Sequence, residues 1–266
     1  MKEHIYMVIP CAGNGSRFGG QLPKQYALID DHTVLWHTLN AVVAVDAIKE
    51  VWVIANSSDN YIDEYVTISP KINIAKVGGS TRANSVLNGL LHLDGMLREN
   101  DWVLVHDAAR CCIEPELINN LITEVQKKSV NNGSFREGSL REPSIHEYSF
   151  DESVDCVGGI LGIKAVDTIK QVESIKQQIK HVIKTIDRNT IYLAQTPQMF
   201  RYVVLKNALL NSSFTGVAVT DESSAVEMSG YTVSVIDGDV NNIKVTYPQD
   251  IELAKFILGS RCNIKL

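Results

Sequence analysis

Ile5-Tyr6-Met7-Val8-Ile9-Pro10-Cys11-Ala12-Gly13-Asn14-Gly15-Ser16-Arg17-Phe18 begins as a run of strand length, Ile5 to Ile9, closed by Pro10, and passes into a polar loop with two glycines. Glycine lets backbone N–H groups approach a polyphosphate closely, so the loop is a candidate phosphate cradle. Two familiar cradles do not fit. A Walker A loop needs Gly-x-x-x-x-Gly-Lys-Ser/Thr, and a dinucleotide fingerprint needs glycine where Phe18 stands. The loop continues through Gly19 and Gly20 to Pro23-Lys24-Gln25-Tyr26, which sets Arg17 and Lys24 a few residues apart. Two cations on such a loop suit phosphoryl or nucleotidyl transfer, where positioning and neutralisation of charge matter more than covalent help from the protein.

Outward from this stretch, further strand-like runs fall at Val51–Ala55, Trp102–Val105 and Val157–Leu161. Apolar residues at helical spacing follow at Val34-Leu35-Leu39-Val42-Val43, Val86-Leu87-Leu90-Leu91 and Leu117-Ile118-Leu121-Ile122. The alternation predicts βαβ units and a mostly parallel sheet, with ligands beyond the carboxyl ends of its strands, in the loops after Ile9, Val105 and Leu161. The run Val51–Ala55 ends in Asn56 and lacks the acid that would hold a dinucleotide ribose, which weighs against an oxidoreductase. Residues 128–153 are polar, with Asn131-Asn132-Gly133-Ser134 and Pro143, and read as an insertion loop. Across 162–188, Ile169, Val172, Ile175, Ile179, Ile183 and Ile186 recur every three or four residues, a spacing that by itself favours a helix. Pro248-Gln249-Asp250-Ile251-Glu252 starts a C-terminal helix with acids in its first turn.

The chain of 266 residues, 45% hydrophobic and 21% charged, has room for one main domain. A net charge of −6 gives no field that would gather nucleic acid or an anionic membrane, so anionic ligands must meet local cations. Five cysteines without a C-x-x-C pair point to neither a disulfide framework nor a zinc site, and reduced thiols suit a cytoplasmic protein. The first apolar run is too short for a signal peptide or a membrane span. His37, His92 and His181 lie in predicted regular segments and take no assigned role.

Gly13-x-Gly15-x-Arg17 followed by Pro23-Lys24-Gln25-Tyr26 resembles the signature of sugar-nucleotide-type nucleotidyltransferases. Further strings narrow the resemblance: Gly78-Gly79-Ser80-Thr81-Arg82-Ala83-Asn84-Ser85-Val86, Val105-His106-Asp107-Ala108-Ala109-Arg110, Asp167-Thr168, Asp187-Arg188-Asn189, Gln195-Thr196-Pro197-Gln198, Thr220-Asp221-Glu222 and Asn242-Ile243-Lys244-Val245-Thr246. In this order they resemble the methylerythritol-phosphate cytidylyltransferase family. The resemblance implies a Rossmann-like three-layer α/β/α nucleotidyltransferase domain, a single domain over 1–266, with a β-arm at 162–188 that interlocks with a second copy in a homodimer. It implies contacts to CTP from Ala12, Gly13, Gly15, Gly79, Ser80 and Ser85, and catalytic charge neutralisation by Arg17, Lys24 and Lys244. Asp107, Arg110, Thr168, Arg188, Thr196 and Thr220 would hold the polyol phosphate, with Lys244 shared. Mg²⁺ would be carried by the triphosphate and water, without a dedicated protein cage. Ser80 stands where some relatives have Asp, Cys111-Cys112 where the family commonly continues Arg-Pro, and Lys164 where relatives often have proline. Ribitol-5-phosphate cytidylyltransferase shares most of these motifs, and a non-catalytic nucleotide-binding protein is the reading from another class. Asp107 and Thr220 are also placed to cap the helices or turns that follow them.

Overall fold

The computed structural model describes residues 3–13, 18–19, 22–131, 156–175 and 179–262. The opening run becomes β1 (Ile5–Pro10), and the cation-bearing stretch that follows ends in a short 3-10 turn, Lys24–Tyr26. A small hairpin, β2 (Leu28–Ile29) and β3 (His32–Thr33), leads into α1 (Val34–Val43), whose N-terminus is capped by Thr33 accepting from the Trp36 N–H. Then come β4 (Ile48–Ile54), a 3-10 segment Ile62–Ile68, β5 (Ile72–Ala75), α2 (Arg82–His92), β6 (Trp102–Val105) and α3 (Pro115–Asn131). The expected insertion at 128–153 thus begins inside α3, and its remainder lies outside the described residues. The second half holds β7 (Cys156–Lys164), β8 (Ile169–Ile175), β9 (Ile179–Ile186), β10 (Tyr192–Arg201), α4 (Tyr202–Thr215), α5 (Glu222–Met228), β11 (Thr232–Asp237) and α6 (Asp250–Cys262).

Seven strands form the central sheet in the order β11-β7-β10-β6-β1-β4-β5. The pairs β1–β4, β1–β6, β4–β5 and β11–β7 are parallel, as the βαβ alternation predicts. β10 runs antiparallel between β6 and β7. Successive side chains of a strand point to opposite faces, and β1 shows it: Met7 and Ile9 pack with Leu35, Leu39, Leu121 and Val125 of α1 and α3, while Tyr6 and Val8 pack with Leu90 and Leu205 of α2 and α4. Each such fully buried aliphatic side chain contributes roughly 1.5–3 kcal/mol, and both layers are filled this way. A third cluster, with Ile29, Val34, Val245, Ala254 and Ile257, seats α6 beneath the loop that carries Lys244.

β1 lies between β4 and β6, so the chain winds away from it in both directions and leaves a crevice beyond its carboxyl end. The segment with helical spacing is a two-stranded antiparallel hairpin, β8–β9, outside the central sheet. Its residues 162–164 still belong to β7. No helix among the described residues is long and apolar enough to cross a membrane.

Candidate active site

The crevice holds a cavity of about 580 Å³, lined among others by Ala12, Gly13, Lys24, Gly79, Ser80, Arg82, Ser85, Asp107 and Lys244. Its first wall is the loop after β1, where the Gln25 side-chain amide donates to the carbonyls of Cys11 (3.0 Å) and Gly13 (3.4 Å) and fixes the entry of the loop. Gly15 and Arg17 lie outside the described residues.

The second wall is the loop after β5. Gly78 donates to the Ala55 carbonyl at 2.8 Å, and a Cβ there would meet that same oxygen at 2.7 Å and run into Ala12. Only glycine lets this loop close against the first wall. Thr81 caps α2 by accepting from the Asn84 N–H, and Ser85 donates to the Thr81 carbonyl at 2.9 Å. The N-terminus of an eleven-residue helix therefore faces the cavity, a favourable environment for anions.

The third wall is the end of β6. Thr38 of α1 donates to the Ala108 carbonyl at 2.9 Å, and the Val245 N–H donates to the Ala109 carbonyl at 2.8 Å, which sets the Lys244 loop against Asp107. Lys24 donates from Nζ to the Val245 carbonyl at 2.9 Å. Lys24 and Lys244, from opposite ends of the chain, thus line one cavity.

Asp107, almost fully buried, is the hub of the charges. Its Oδ1 accepts from Arg82 Nε at 2.7 Å and its Oδ2 from Lys244 Nζ at 2.7 Å, with Arg110 Nε at 3.8 Å. Burial opposes its ionisation, but Arg82 and Lys244 overcome that and hold the carboxyl well below the usual carboxylate range. The side chain serves these ion pairs and is not a cap. Arg82 also reaches Glu222 through Nη1 (2.7 Å) and Nη2 (3.0 Å), a bidentate pair with a carboxylate only 1% exposed. Burial would lower the Arg82 pKa, yet Glu222 and Asp107 raise it. Arg110 donates from Nη1 to the Asn242 carbonyl at 2.6 Å, while its buried Nε has no hydrogen-bond acceptor among the described residues; burial lowers its pKa, partly offset by Asp107.

Beneath Asp107 lies a neutral relay. His106 Nε2 faces the Arg110 carbonyl at 3.3 Å, so the neutral ring carries its hydrogen there and its Nδ1 accepts from the Thr196 hydroxyl at 3.0 Å, while the same Oγ1 accepts from the Asp107 N–H at 3.0 Å. His106 is fully buried, and desolvation lowers its pKa to about 4.

Of the residues that the sequence marks, the cavity brings together Ala12, Gly13, Lys24, Gly79, Ser80, Ser85, Asp107 and Lys244. Arg110 and Thr196 stand behind Asp107, buried or nearly so. Thr168 and Arg188 lie exposed where the hairpin leaves the sheet, Arg188 donating to the Val166 carbonyl. Thr220 is exposed, and Asp221, not Thr220, caps α5, in a capping box with Ser224. Sequence reasoning missed Arg82 and Glu222 as site residues, although both stand inside the quoted strings. An acid in the first turn of a helix ordinarily reads as a surface partner of the helix dipole, and nothing local signals its burial.

A mostly parallel α/β sheet with a glycine-walled crevice, a helix N-terminus and fixed cations at its strand ends defines a nucleotidyltransferase. The sequence model of one such family, IspD: 2-C-methyl-D-erythritol 4-phosphate cytidylyltransferase, matches residues 5–132 and 139–260, and the chain belongs to this family. Proteins named 2-C-methyl-D-erythritol 4-phosphate cytidylyltransferase are similar over nearly full length: one from Chromobacterium violaceum is 39% identical, with 96% of this chain and 97% of that protein covered. One from Alteromonas mediterranea is 38% identical, with 97% and 94% covered. Among solved structures, a 4-diphosphocytidyl-2C-methyl-D-erythritol synthase superposes with a TM-score of 0.74 at 32% identity, covering 97% of this chain and all of that one. The Francisella tularensis cytidylyltransferase gives 0.71 at 31% identity, covering 96% and 100%.

Proposed function

We propose that the chain transfers the cytidylyl group of CTP to 2-C-methyl-D-erythritol 4-phosphate. An oxygen of the acceptor phosphate forms a bond to the α-phosphorus of CTP, the bond to the β-phosphate bridge breaks, and pyrophosphate leaves. The acceptor phosphate is already largely dianionic near neutral pH, since its second pKa is about 6, so the reaction needs no general base. The protein's part is to align the two substrates and oppose the charge that gathers between them. The observation that carries this reading is the convergence of Lys24 and Lys244 on one cavity walled by Ala12–Gly13 and Gly79–Ser85.

On this reading Ala12, Gly13, Gly15, Gly79, Ser80 and Ser85 bind the nucleotide. Lys24, Arg17 and Lys244 neutralise the triphosphate and the transition state, and Asp107, Arg110 and Thr196 shape the acceptor end together with Lys244, which also faces the acceptor phosphate. Among the described residues, the carboxylates of Asp107 and Glu222 are turned to the protein's own cations, Asp107 holding Arg82 and Lys244 and Glu222 holding Arg82 with both oxygens. Mg²⁺ therefore fits this site as a companion of CTP, held by triphosphate oxygens and water, where it supplies further charge neutralisation. On the same reading Thr168 and Arg188, at the base of the hairpin, and Thr220, ahead of α5, complete the acceptor site within a homodimer. A cytoplasmic protein is consistent with the buried free thiols of Cys11, Cys111 and Cys112.

The test is release of pyrophosphate by the purified protein with CTP, Mg²⁺ and either methylerythritol phosphate or ribitol 5-phosphate. Turnover with the first at a kcat/KM at least tenfold above the second is expected. Preference for ribitol phosphate, or no turnover with either, overturns the assignment.

A further inference from the structure

Glu222 lies in the first turn of α5, yet that helix end is already served by Asp221, which caps it. Glu222 is instead 1% exposed, and both of its oxygens accept from one guanidinium, Arg82 Nη1 at 2.7 Å and Nη2 at 3.0 Å. The remaining Nε–H of that guanidinium goes to Asp107 Oδ1 at 2.7 Å, which leaves Oδ2 to Lys244 at 2.7 Å. Four alternating charges from four parts of the fold, α5, α2, the end of β6 and the loop after β11, thus form one chain that ends at the cavity. Taking ions out of water costs more than packing apolar groups of the same volume, so such a chain is poorly explained as a stabiliser. What it provides is geometry: a planar fork with a carboxylate on each side is a spacer of fixed length.

We propose that Glu222 is a positioning residue for the acceptor half of the site: it holds Arg82 on Asp107 and away from the nucleotide, and through Asp107 it fixes Lys244. The inference rests on the reading above that Asp107 and Lys244 face the acceptor. Arg82 lines the cavity with its side chain 27% exposed, beside the same wall as Gly79 and Ser80. Released from Glu222, a cation there turns to the nearest polyphosphate. The charge of Arg82 is compensated within the protein, by Glu222 on one side and Asp107 on the other.

Steady-state kinetics with both substrates varied tests the assignment in Glu222→Gln and in Arg82→Lys, the second of which keeps both charges but cannot hold three hydrogen bonds in one plane. In each, KM for methylerythritol phosphate is expected to rise tenfold or more, while KM for CTP stays within twofold or falls. A fall in kcat with both KM values unchanged, the mark of a smaller folded fraction, overturns the proposal. So does a rise of the CTP KM to match that of the acceptor, which makes Arg82 a nucleotide ligand. Should Glu222→Gln fail to fold, Arg82→Lys decides alone. Wild-type protein without turnover would overturn the function rather than this role; active wild type with normal acceptor KM in both variants overturns this role alone.

Discussion

At the scale of single residues, the site divides into groups that act by charge and groups that act by absence. Lys24 acts by charge: its Nζ donates to the Val245 carbonyl at 2.9 Å, and its side chain lines the cavity from the first wall. Removing one preorganised donor to developing charge costs about a hundredfold to a thousandfold in rate. Lys24→Ala is accordingly expected to lose at least a hundredfold in kcat while CTP still binds measurably by calorimetry, and an unchanged kcat removes Lys24 from its role. Gly78 acts by absence, since a Cβ would meet the Ala55 carbonyl at 2.7 Å. In Gly78→Ala the second wall must move off the first, and CTP affinity is expected to drop tenfold or more; titration with CTP at equal affinity to wild type would refute the close approach. The place of Lys24 on the cavity was legible because it follows Pro23 at a set distance from the glycine loop, whereas Gly78 stood in its string beside Gly79 with no role assigned to it. Glu222 and Arg82 were not legible, because their meaning depends on a contact spanning 140 residues. Thr220 and Asp221 show the finer limit: either could cap α5, and only the backbone, with Asp221 extended and accepting from Ser224, decides for the second.

At the scale of elements, the hairpin β8–β9 shows how the period of a sequence can mislead. Apolar residues three or four apart suit one face of a helix, yet the pairs Ile169↔Ile186 and Val172↔Val182 lie three residues apart along β8. In a strand that spacing places them on opposite faces. The pairing jumps from Gln171↔Lys184 to Val172↔Val182, so Ile183 is an extra residue in β9 and the bulge absorbs the change of phase. An isolated two-stranded hairpin is marginal in water, and this one leaves Val172, Val182 and Ile183 between 44% and 59% exposed. We propose that the arm of a second copy covers them. Replacing Val182 and Ile183 together by Asp is then expected to convert a dimer to a monomer in sedimentation, and to lower turnover by at least tenfold as Arg188 and Thr168 lose their placement. A wild-type monomer at assay concentration, or a double variant that remains dimeric, refutes the arrangement.

At the scale of the whole molecule, the parallel part of the sheet was legible and its antiparallel member was not. β10 carries Gln195-Thr196-Pro197-Gln198 in its middle, three polar residues and a proline that cannot donate to a sheet ladder. They stand in a strand because their side chains bind inward: Gln195 donates to the Asp239 carbonyl, Thr196 serves His106 and Asp107, and Gln198 donates to Asp221. This polar seam joins β6, β10 and the segments that carry the site, so its protonation bears on global stability. Desolvation lowers the His106 pKa to about 4, and His37, half-buried, is lowered in the same sense by desolvation. Between that value and the ordinary 6.5 the unfolded chain binds a proton that the folded chain refuses, so stability falls as pH falls through this window and is level above it. A displacement of that size corresponds to roughly 3 kcal/mol for a fully buried group. Asp107 adds to the loss only below about pH 4, because its carboxyl is ionised in the fold and protonates first in the unfolded chain. Urea unfolding midpoints are therefore expected to be flat from pH 8 to 7 and to decline from 6.5 to 4. His106→Gln, which keeps a hydrogen-bonding group under Thr196 but no titrating one, should flatten most of that decline and leave the smaller part carried by His37. An equally steep decline in the variant would show that the buried relay beneath Asp107 does not set the acid limit of the fold.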